Sequence, residues 1–238
     1  MIVGQSGLGK ATFINTLFDS IVIPPREDAE IDLDLERIEP VRFVPYLYES
    51  DQSSKKLNIT IIDTPGFGES LSNSQGCATI LEYIEEQYDK FLAEESRINR
   101  IRKYEDSRVH VLLYFIAPTG HGLKDLDILL MKSVGKRVNI IPVIAKSDAL
   151  TRSELLSFKQ QVISDIKKYH IPIYEFEPHD FDESDVIQFK ENAKQYLPFA
   201  IVGAEPEYIG ISKSNGIRRG RQLPWGFVES ISNIVSNM

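Results

Sequence analysis

The sequence lacks the features of secreted, membrane-spanning and nucleic-acid-binding proteins. Cys77 is its single cysteine, so no disulfide can form within the chain, which fits a reducing compartment. No apolar run approaches the roughly 20 residues that a membrane-spanning helix needs, and the N-terminus shows no signal-peptide pattern. The chain also lacks an excess of positive charge: 35 acidic residues outnumber 27 lysines and arginines, and the net charge is −8. That balance argues against a general nucleic-acid-binding surface, and we expect no nucleic-acid partner.

The 238 residues, 42% of them hydrophobic, suit one globular unit with a sizeable core. Helical patterns alternate with continuous apolar runs, which predicts an α/β fold with a mostly parallel sheet covered by helices on both faces. The predicted strands cover 57–63, 109–116, 138–145 and, more briefly, 198–203. The predicted helices cover 10–19, about 76–95, 124–135 and 152–169, the last with Ser153 as a candidate N-cap.

Three other stretches have a distinct character. Residues 26–39 are acidic and predict a loop or an edge strand, and residues 175–185 predict an exposed acidic insertion. After Gly203 short alternating runs and the turn sequence "SNG" predict a β-hairpin or meander. Met1 runs straight into "IVG", so we expect the first strand to be truncated, in a chain that begins earlier or in a fragment.

Residues 4–10, "GQSGLGK", have the spacing of a phosphate-binding loop. Its glycines let successive N–H groups face an anion, the following helix adds its N-terminal dipole, and Lys10 would reach the β- and γ-phosphates. A glycine-rich turn before a helix is the alternative. The strand-like "MIV" before the loop and the amphipathic "TFINTLF" after it favour phosphate binding. The candidate contacts are Gly4, Gln5, Ser6, Gly7, Leu8, Gly9 and Lys10.

Two further motifs follow predicted strands. In "IIDTPGFG", Asp63 can hold magnesium through a water and Gly66 can offer its N–H to the γ-phosphate. In "AKSD", the carboxylate of Asp148 can accept hydrogen bonds from the N1–H and the exocyclic amine of guanine, while the stem of Lys146 lies along the base and Ser147 stands between them. Each motif alone is common. Their order and spacing together predict a guanine-nucleotide site at the carboxyl ends of the strands.

The sequence resembles the septins, a family of P-loop GTP-binding cytoskeletal proteins, over nearly its whole length. The resemblance rests on "GQSGLGK", "DTPGFG", "SRVHVLLYFIAPTGHGLKDLD", "VNIIPVIAKSD", "LPFAIVG" and "RGRQLPWG". It implies a septin-type GTP-binding domain over 1–203 and an incomplete septin-unique element, the meander, over 204–238. It also implies that Thr12 binds phosphate, that Gly203 contacts the base through its backbone and that Arg221 stacks on the base.

The resemblance places further residues at an interface between subunits. His121, in "GHG", and Glu154 resemble residues that reach the nucleotide of a neighbouring subunit, and Trp225 lies in the part of the fold that builds that interface. The alternatives are a simple loop histidine for His121 and a core aromatic for Trp225. A solvated charge is the alternative for Arg221.

The sequence departs from the family on the metal side. Ala11 stands where a serine or threonine would ligate magnesium, and a methyl group has no oxygen. Thr12 is one position late and points about 100° away on a helix, so it could bind the α-phosphate instead. No threonine occurs between Phe18 and Ile59, where hydrolysing members place a switch threonine; Asp28 or Ala29 stands near that place. We therefore expect bound GTP or GDP, weak or absent Mg²⁺, and very slow or absent hydrolysis.

The resemblance implies a filament subunit that pairs with itself or with other septins. It implies a cytoplasmic, cytoskeletal location at a septin ring or division site, and contact with anionic lipid through segments outside this sequence. The basic run at 97–103 reads as a solvated helix end or an interface rather than a lipid site. Two rival hypotheses remain: an active GTPase switch, and a scaffold that binds no nucleotide.

Overall fold

The computed structural model of the protein describes residues 1–18, 21–23, 39–43, 59–64, 73–98, 106–178, 184–204, 209–211, 217–224 and 226–229. The strands are β1 (Ile2–Gly4), β2 (Glu39–Phe43), β3 (Ile59–Asp63), β4 (Val111–Ile116), β5 (Asn139–Ile144), β6 (Phe199–Ala200), β7 (Ile209–Ile211), β8 (Ile217–Leu223) and β9 (Gly226–Glu229). The helices are α1 (Lys10–Leu17), α2 (Asn73–Glu95), α3 (Asp125–Val134), α4 (Arg152–Lys168) and α5 (Ser184–Tyr196).

Six strands form one sheet in the order β2-β3-β1-β4-β5-β6. Of these six, only β2 is antiparallel to its neighbour; the pairs β3–β1, β1–β4, β4–β5 and β5–β6 are parallel. Parallel neighbours need long crossovers, which the intervening helices supply. The crossovers go to one side of β1 and then to the other, so the crevice for a ligand lies at the carboxyl ends of the strands beside β1.

Two apolar clusters cover the two faces of this sheet. On one face, α2, α3 and α4 bury Ile84, Met131 and Phe158 among side chains of β4 and β5. On the other face, Phe13 of α1 packs edge-to-face on Phe115 of β4, with 5.6 Å between the ring centroids. The prediction of a mostly parallel sheet with helices on both faces is therefore confirmed.

A buried hydrogen bond anchors the start of α3 to the sheet. The Tyr114 hydroxyl of β4 donates to Asp127 Oδ1 at 2.8 Å, and the backbone N–H of Lys124 donates to Asp127 Oδ2 at 3.2 Å. Burial raises the pKa of the Asp127 carboxyl, while the hydrogen bond from Tyr114 lowers it. Because buried polar groups are costly unless paired, this pair fixes where the α3 N-terminus sits relative to β4.

The last three strands form a second, antiparallel sheet in the order β7-β8-β9. This is the meander predicted after Gly203. Gly220 of β8 allows β9 to approach closely, because a Cβ there would collide with the carbonyl oxygen of Val228. Within the described residues, no helix is long and apolar enough to cross a lipid bilayer.

Strand β2 was not predicted, and three further elements differ from the sequence predictions. Helix α5 was not predicted: the acidic stretch at 175–185, which overlaps its start, was interpreted as an exposed insertion. In the structure Val186 and Phe189 are exposed and Ala193 is buried. Strand β6 has two residues rather than the six predicted, since its pairing with β5 is limited to Val143–Phe199 and Ile144–Ala200. The acidic stretch at 26–38 lies outside the described residues.

The third difference is the N-cap of α4, which is Thr151 and not Ser153. Thr151 Oγ1 accepts from the Glu154 N–H at 3.4 Å, and Glu154 Oε2 accepts from the Thr151 N–H at 2.8 Å. This is a capping box, and it holds donors that the helix cannot satisfy itself. Both Thr151 and Ser153 are residue types that can cap a helix, and the geometry of the turn places Thr151 at the N-cap position.

We expect Thr151→Ala to lower the free energy of unfolding by about 1 kcal/mol, because it removes the cap of α4. Ser153→Ala is the matched control. Ser153 Oγ lies 3.3 Å from Thr151 Oγ1, but the capping bonds between Thr151 and Glu154 do not involve it. Alanine is favoured at this position inside the helix, so the change should stay below about 0.5 kcal/mol. Urea denaturation followed by circular dichroism measures both. A larger loss for Ser153→Ala than for Thr151→Ala would show that the cap is assigned to the wrong residue.

Candidate nucleotide-binding site

The predicted site residues come together where parallel strands end. Strand β1 leads into the loop before α1, and β3 ends at Asp63. Strand β5 leads to a short 3-10 helix, Ser147–Ala149, and β6 leads to Gly203. Since these strands are parallel, their carboxyl ends meet at one edge of the sheet.

The loop between β1 and α1 needs glycine for two different reasons. Gly7 and Gly9 have φ values of 74° and 79°, in the left-handed region, and a Cβ at either position would meet no described atom within 4 Å, so backbone conformation requires them. Gly4 instead lacks space, because a Cβ there would lie 2.7 Å from Phe115 Cβ. The loop thus turns sharply above β4 and carries exposed backbone at Ser6 and Gly7, as a phosphate-binding loop requires.

Lys10 lies across this loop. Its Nζ donates to the carbonyl oxygens of Gly4 and Gln5, both at 3.1 Å, and its side chain is buried. The ammonium group is therefore held at the mouth of α1, beside the positive end of the helix dipole. This arrangement concentrates positive potential where an anionic phosphate would sit.

The first turn of α1 separates Ala11 from Thr12. Ala11 is half-buried and packs against the apolar cluster of Phe13. Thr12 lies beside Gly203, where a Cβ would come 3.2 Å from Thr12 Cγ2. One turn later, the Ala204 N–H donates to Thr16 Oγ1 at 2.9 Å. The helix that follows the phosphate loop is thereby joined to the segment after β6.

The carboxylate of Asp148 has the environment of a recognition group. Its side chain is 8% exposed, and Oδ2 lies 3.6 Å from Arg221 Nη1 of β8. Its buried Oδ1 accepts no hydrogen bond from the part of the chain that the structure describes. A buried carboxylate oxygen without a donor is costly, and the N1–H and amine of guanine would supply two donors. The residues therefore fit a guanine base.

The segments around Asp148 are tied to the other loops of the site. The Ser147 N–H donates to the carbonyl oxygen of Ile201 at 3.1 Å, which joins the loop after β5 to the one after β6. Lys146 has a φ of 45°, a left-handed conformation that non-glycine residues rarely adopt. Such local strain is kept where surrounding contacts enforce it, commonly at functional sites.

Asp63 is the residue that the sequence predicted for the metal and phosphate side. It ends β3, opposite Ile2 of β1. The next residue, Thr64, is buried, and its hydroxyl donates to the carbonyl oxygen of Ile2 at 2.8 Å. This bond fixes the strand end that presents Asp63, and the sequence pattern assigned Thr64 no role. Gly66 lies outside the described residues.

Two of the three residues predicted for a subunit interface, His121 and Glu154, are described by the structure, and both are exposed. His121 is exposed on a loop that is held to α4, where the Leu123 N–H donates to Asp165 Oδ2 at 3.0 Å. Glu154 is exposed, but its Oε2 caps its own helix, and those hydrogen bonds lower the pKa of the Glu154 carboxyl. Trp225 lies outside the described residues.

One contact was not foreseen from the sequence. Lys124 Nζ, from the loop before α3, donates to Gln5 Oε1 at 2.9 Å. Lys124 lies in "GHGLKDLD", the motif in which the sequence predicted a role only for His121, at the subunit interface.

A parallel α/β sheet with a glycine-rich loop, a buried lysine and a buried aspartate at its carboxyl edge defines a P-loop nucleotide-binding protein. The family is then settled by comparison: a family model described as Septin matches residues 1–236, and the chain belongs to the septin family.

Individual relatives agree. The chain is 44% identical over 236 residues to the septin homolog spn3 of Schizosaccharomyces pombe, covering 96% of this chain and 61% of that protein. It is also 44% identical to cell division control protein 11 of Saccharomyces cerevisiae, covering 100% of this chain and 57% of that protein. The chain thus spans about three-fifths of the length of these relatives.

Solved structures show the same fold. The crystal structure of Cdc11 from Saccharomyces cerevisiae matches with a TM-score of 0.62 and 36% identity, covering 100% of this chain and 88% of that one. The septin GTPase domain from Chlamydomonas reinhardtii matches with a TM-score of 0.71 at 23% identity, covering 98% of this chain and 84% of that one. The second likeness concerns the fold alone.

Proposed function

We propose that this chain is a septin GTP-binding domain that holds guanine nucleotide as a structural part of a subunit interface. The observation that carries the proposal is that the glycine-rich loop at residues 4–10 and the buried carboxylate of Asp148 lie at the same edge of the sheet. The Thr12–Gly203 approach and the Ser147–Ile201 hydrogen bond connect the two halves.

The residues divide by the part of the nucleotide they would hold. The loop from Gly4 to Lys10, with Thr12, takes the phosphates, and Asp63 faces the metal side. Asp148 reads the guanine edge, with the backbone of Gly203 against the base. Arg221 would stack on the base through its flat guanidinium, which lies 3.6 Å from the Asp148 carboxylate.

Weak hydrolysis is the second part of the proposal. Phosphoryl transfer depends on positioning and on metal-assisted charge stabilisation, and Ala11 offers the metal no ligand. Its half-buried position against the apolar cluster of Phe13 suits a methyl group. The nucleotide then serves binding and assembly more than turnover.

Assembly is the third part. We propose pairing with itself or with other septins into filaments, in a cytoskeletal role at a division site or a membrane-associated scaffold, and contact with anionic lipid through other segments. Family membership and relatives named for cell division support this.

Identification of the nucleotide that leaves the purified protein on denaturation tests the nucleotide assignment. We expect GDP or GTP at close to one per chain. Protein that carries none, and that also fails to bind added GDP, would support the nucleotide-free scaffold instead. Rapid conversion of added GTP to GDP would support the switch.

The chain should form a dimer through its nucleotide face. Interfaces concentrate energy in tryptophan and arginine, so Trp225→Ala should weaken pairing by at least about 2 kcal/mol. His121→Ala should weaken pairing less than Trp225→Ala does. Its effect should be larger when nucleotide is present, because a nucleotide buried between subunits is linked to pairing. Analytical ultracentrifugation with and without GDP measures this, with Lys167→Ala at the far end of α4 as control. A parent that stays monomeric, alone and with septin partners, would refute the assignment.

A further inference from the structure

Lys124 stands in an unusual place for a lysine. It is the N-cap of α3, where Ser, Thr, Asp or Asn is preferred. Its charge lies at the positive end of the helix dipole, where a cation is unfavourable. A residue that breaks such a local preference is a candidate for a functional role.

The structure shows what this lysine contacts. Lys124 Nζ donates to Gln5 Oε1 at 2.9 Å, while Lys10 Nζ donates to the main-chain carbonyl oxygen of Gln5 at 3.1 Å. The two ammonium groups thus converge on one residue of the phosphate loop. Because each ammonium group contacts an oxygen of Gln5, both charges lie beside the second residue of the loop.

The backbone beneath Lys124 is held firmly. Its N–H donates to the buried Asp127, which also accepts from Tyr114 of β4. The neighbouring Leu123 N–H donates to Asp165 of α4. The lysine is therefore presented to the loop from two anchored elements.

We propose that Lys124 is a second cationic residue for the terminal phosphate of the bound nucleotide, docked on Gln5 and acting together with Lys10. The proposal rests on the proposed guanine-nucleotide site. A P-loop lysine reaches the β- and γ-phosphates, so the end of the loop that Lys10 and Gln5 share is the end where the terminal phosphate lies. Lys124 then adds positive charge on the side where Ala11 provides no oxygen for a metal.

The charge difference between nucleotides makes the proposal testable. GTP carries the additional negative charge of its γ-phosphate, so removing a nearby cation should weaken the binding of GTP more than the binding of GDP. In a partly solvated site, one lysine charge beside a phosphate changes the affinity for the nucleotide roughly threefold to tenfold. A lysine that acted only as a tether for Gln5 would affect both nucleotides alike.

The test is isothermal titration calorimetry of GTP and GDP, with Mg²⁺ and with EDTA, at two salt concentrations. The proteins are the nucleotide-stripped parent, Lys124→Gln, Lys124→Arg, and the control Lys132→Gln, an exposed lysine in the last turn of the same helix. We expect Lys124→Gln to raise the Kd for GTP roughly threefold to tenfold and that for GDP less. Its GTP affinity should also depend less on salt, Lys124→Arg should keep most of the affinity, and Lys132→Gln should match the parent.

Two results would overturn the proposal while leaving the nucleotide site in place: an unchanged GTP affinity in Lys124→Gln, or an equal loss of affinity for GTP and GDP. A parent that binds neither nucleotide would remove the proposed function itself, and this proposal with it. Circular dichroism of each variant shows whether α3 is retained.

Discussion

GTP turnover by this chain should be slower than the roughly 10⁻⁴ s⁻¹ of an intact small GTPase without its activator. Two losses on the metal side lead to this expectation. Ala11 gives no hydroxyl where a serine or threonine would hold magnesium, and the sequence has no threonine between Phe18 and Ile59 to hold the metal and the attacking water. Phosphoryl transfer without metal-assisted positioning loses orders of magnitude in rate.

Single-turnover hydrolysis of radiolabelled GTP, with excess protein, measures this rate. Ala11→Ser is the informative variant: it should increase magnesium affinity more than turnover, because the switch threonine would still be absent. Comparing GDP binding in Mg²⁺ with GDP binding in EDTA measures the gain in magnesium affinity, and the hydrolysis assay measures turnover separately. Parent hydrolysis at or above roughly 10⁻⁴ s⁻¹ would contradict the expectation. A rate on the order of one per minute, well above that of an intact small GTPase without its activator, would make the active switch the leading hypothesis.

Asp148→Asn should lower guanine-nucleotide affinity by a few kcal/mol. The carboxylate of Asp148 is nearly fully buried, with one oxygen that accepts no hydrogen bond from the described residues. Guanine would give it two donors in a charge-assisted pair. The amide of asparagine turns one acceptor into a donor, which then faces a donor of the base.

Competition binding of GDP, ADP and xanthosine diphosphate measures this selectivity for the parent and the variant. Asp89→Asn, an exposed position in α2, is the matched control and should behave as the parent. The parent should prefer GDP, and the variant should lose that preference because the asparagine amide can donate to the oxygen that xanthine carries in place of the amine. Equal binding of GDP and xanthosine diphosphate by the parent would remove Asp148 from the role of guanine reader.

The sequence by itself determined the α/β class and the approximate course of its longer elements. Continuous apolar runs predicted β3, β4 and β5, because a strand buried on both faces must be apolar along its length. Periodic apolar residues predicted α1, α2, α3 and α4. It missed α5, because the start of this helix lies in the acidic stretch at 175–185 that was interpreted as an exposed insertion. The phosphate loop, Asp63 and Asp148 were also predicted from sequence, because their chemistry depends on residue types at fixed local spacing.

Only the tertiary structure decided which distant residues meet. Thr151 rather than Ser153 caps α4, because the turn before the helix brings its hydroxyl to the N–H of Glu154. Arg221 reaches Asp148 because β8 lies beside the loop after β5, and Lys124 reaches Gln5 because Tyr114 and Asp127 fix the start of α3. These contacts join residues far apart in the chain, and no local pattern encodes them. Their geometry follows from how the strands are ordered and how the helices pack on them, which is a property of the whole fold.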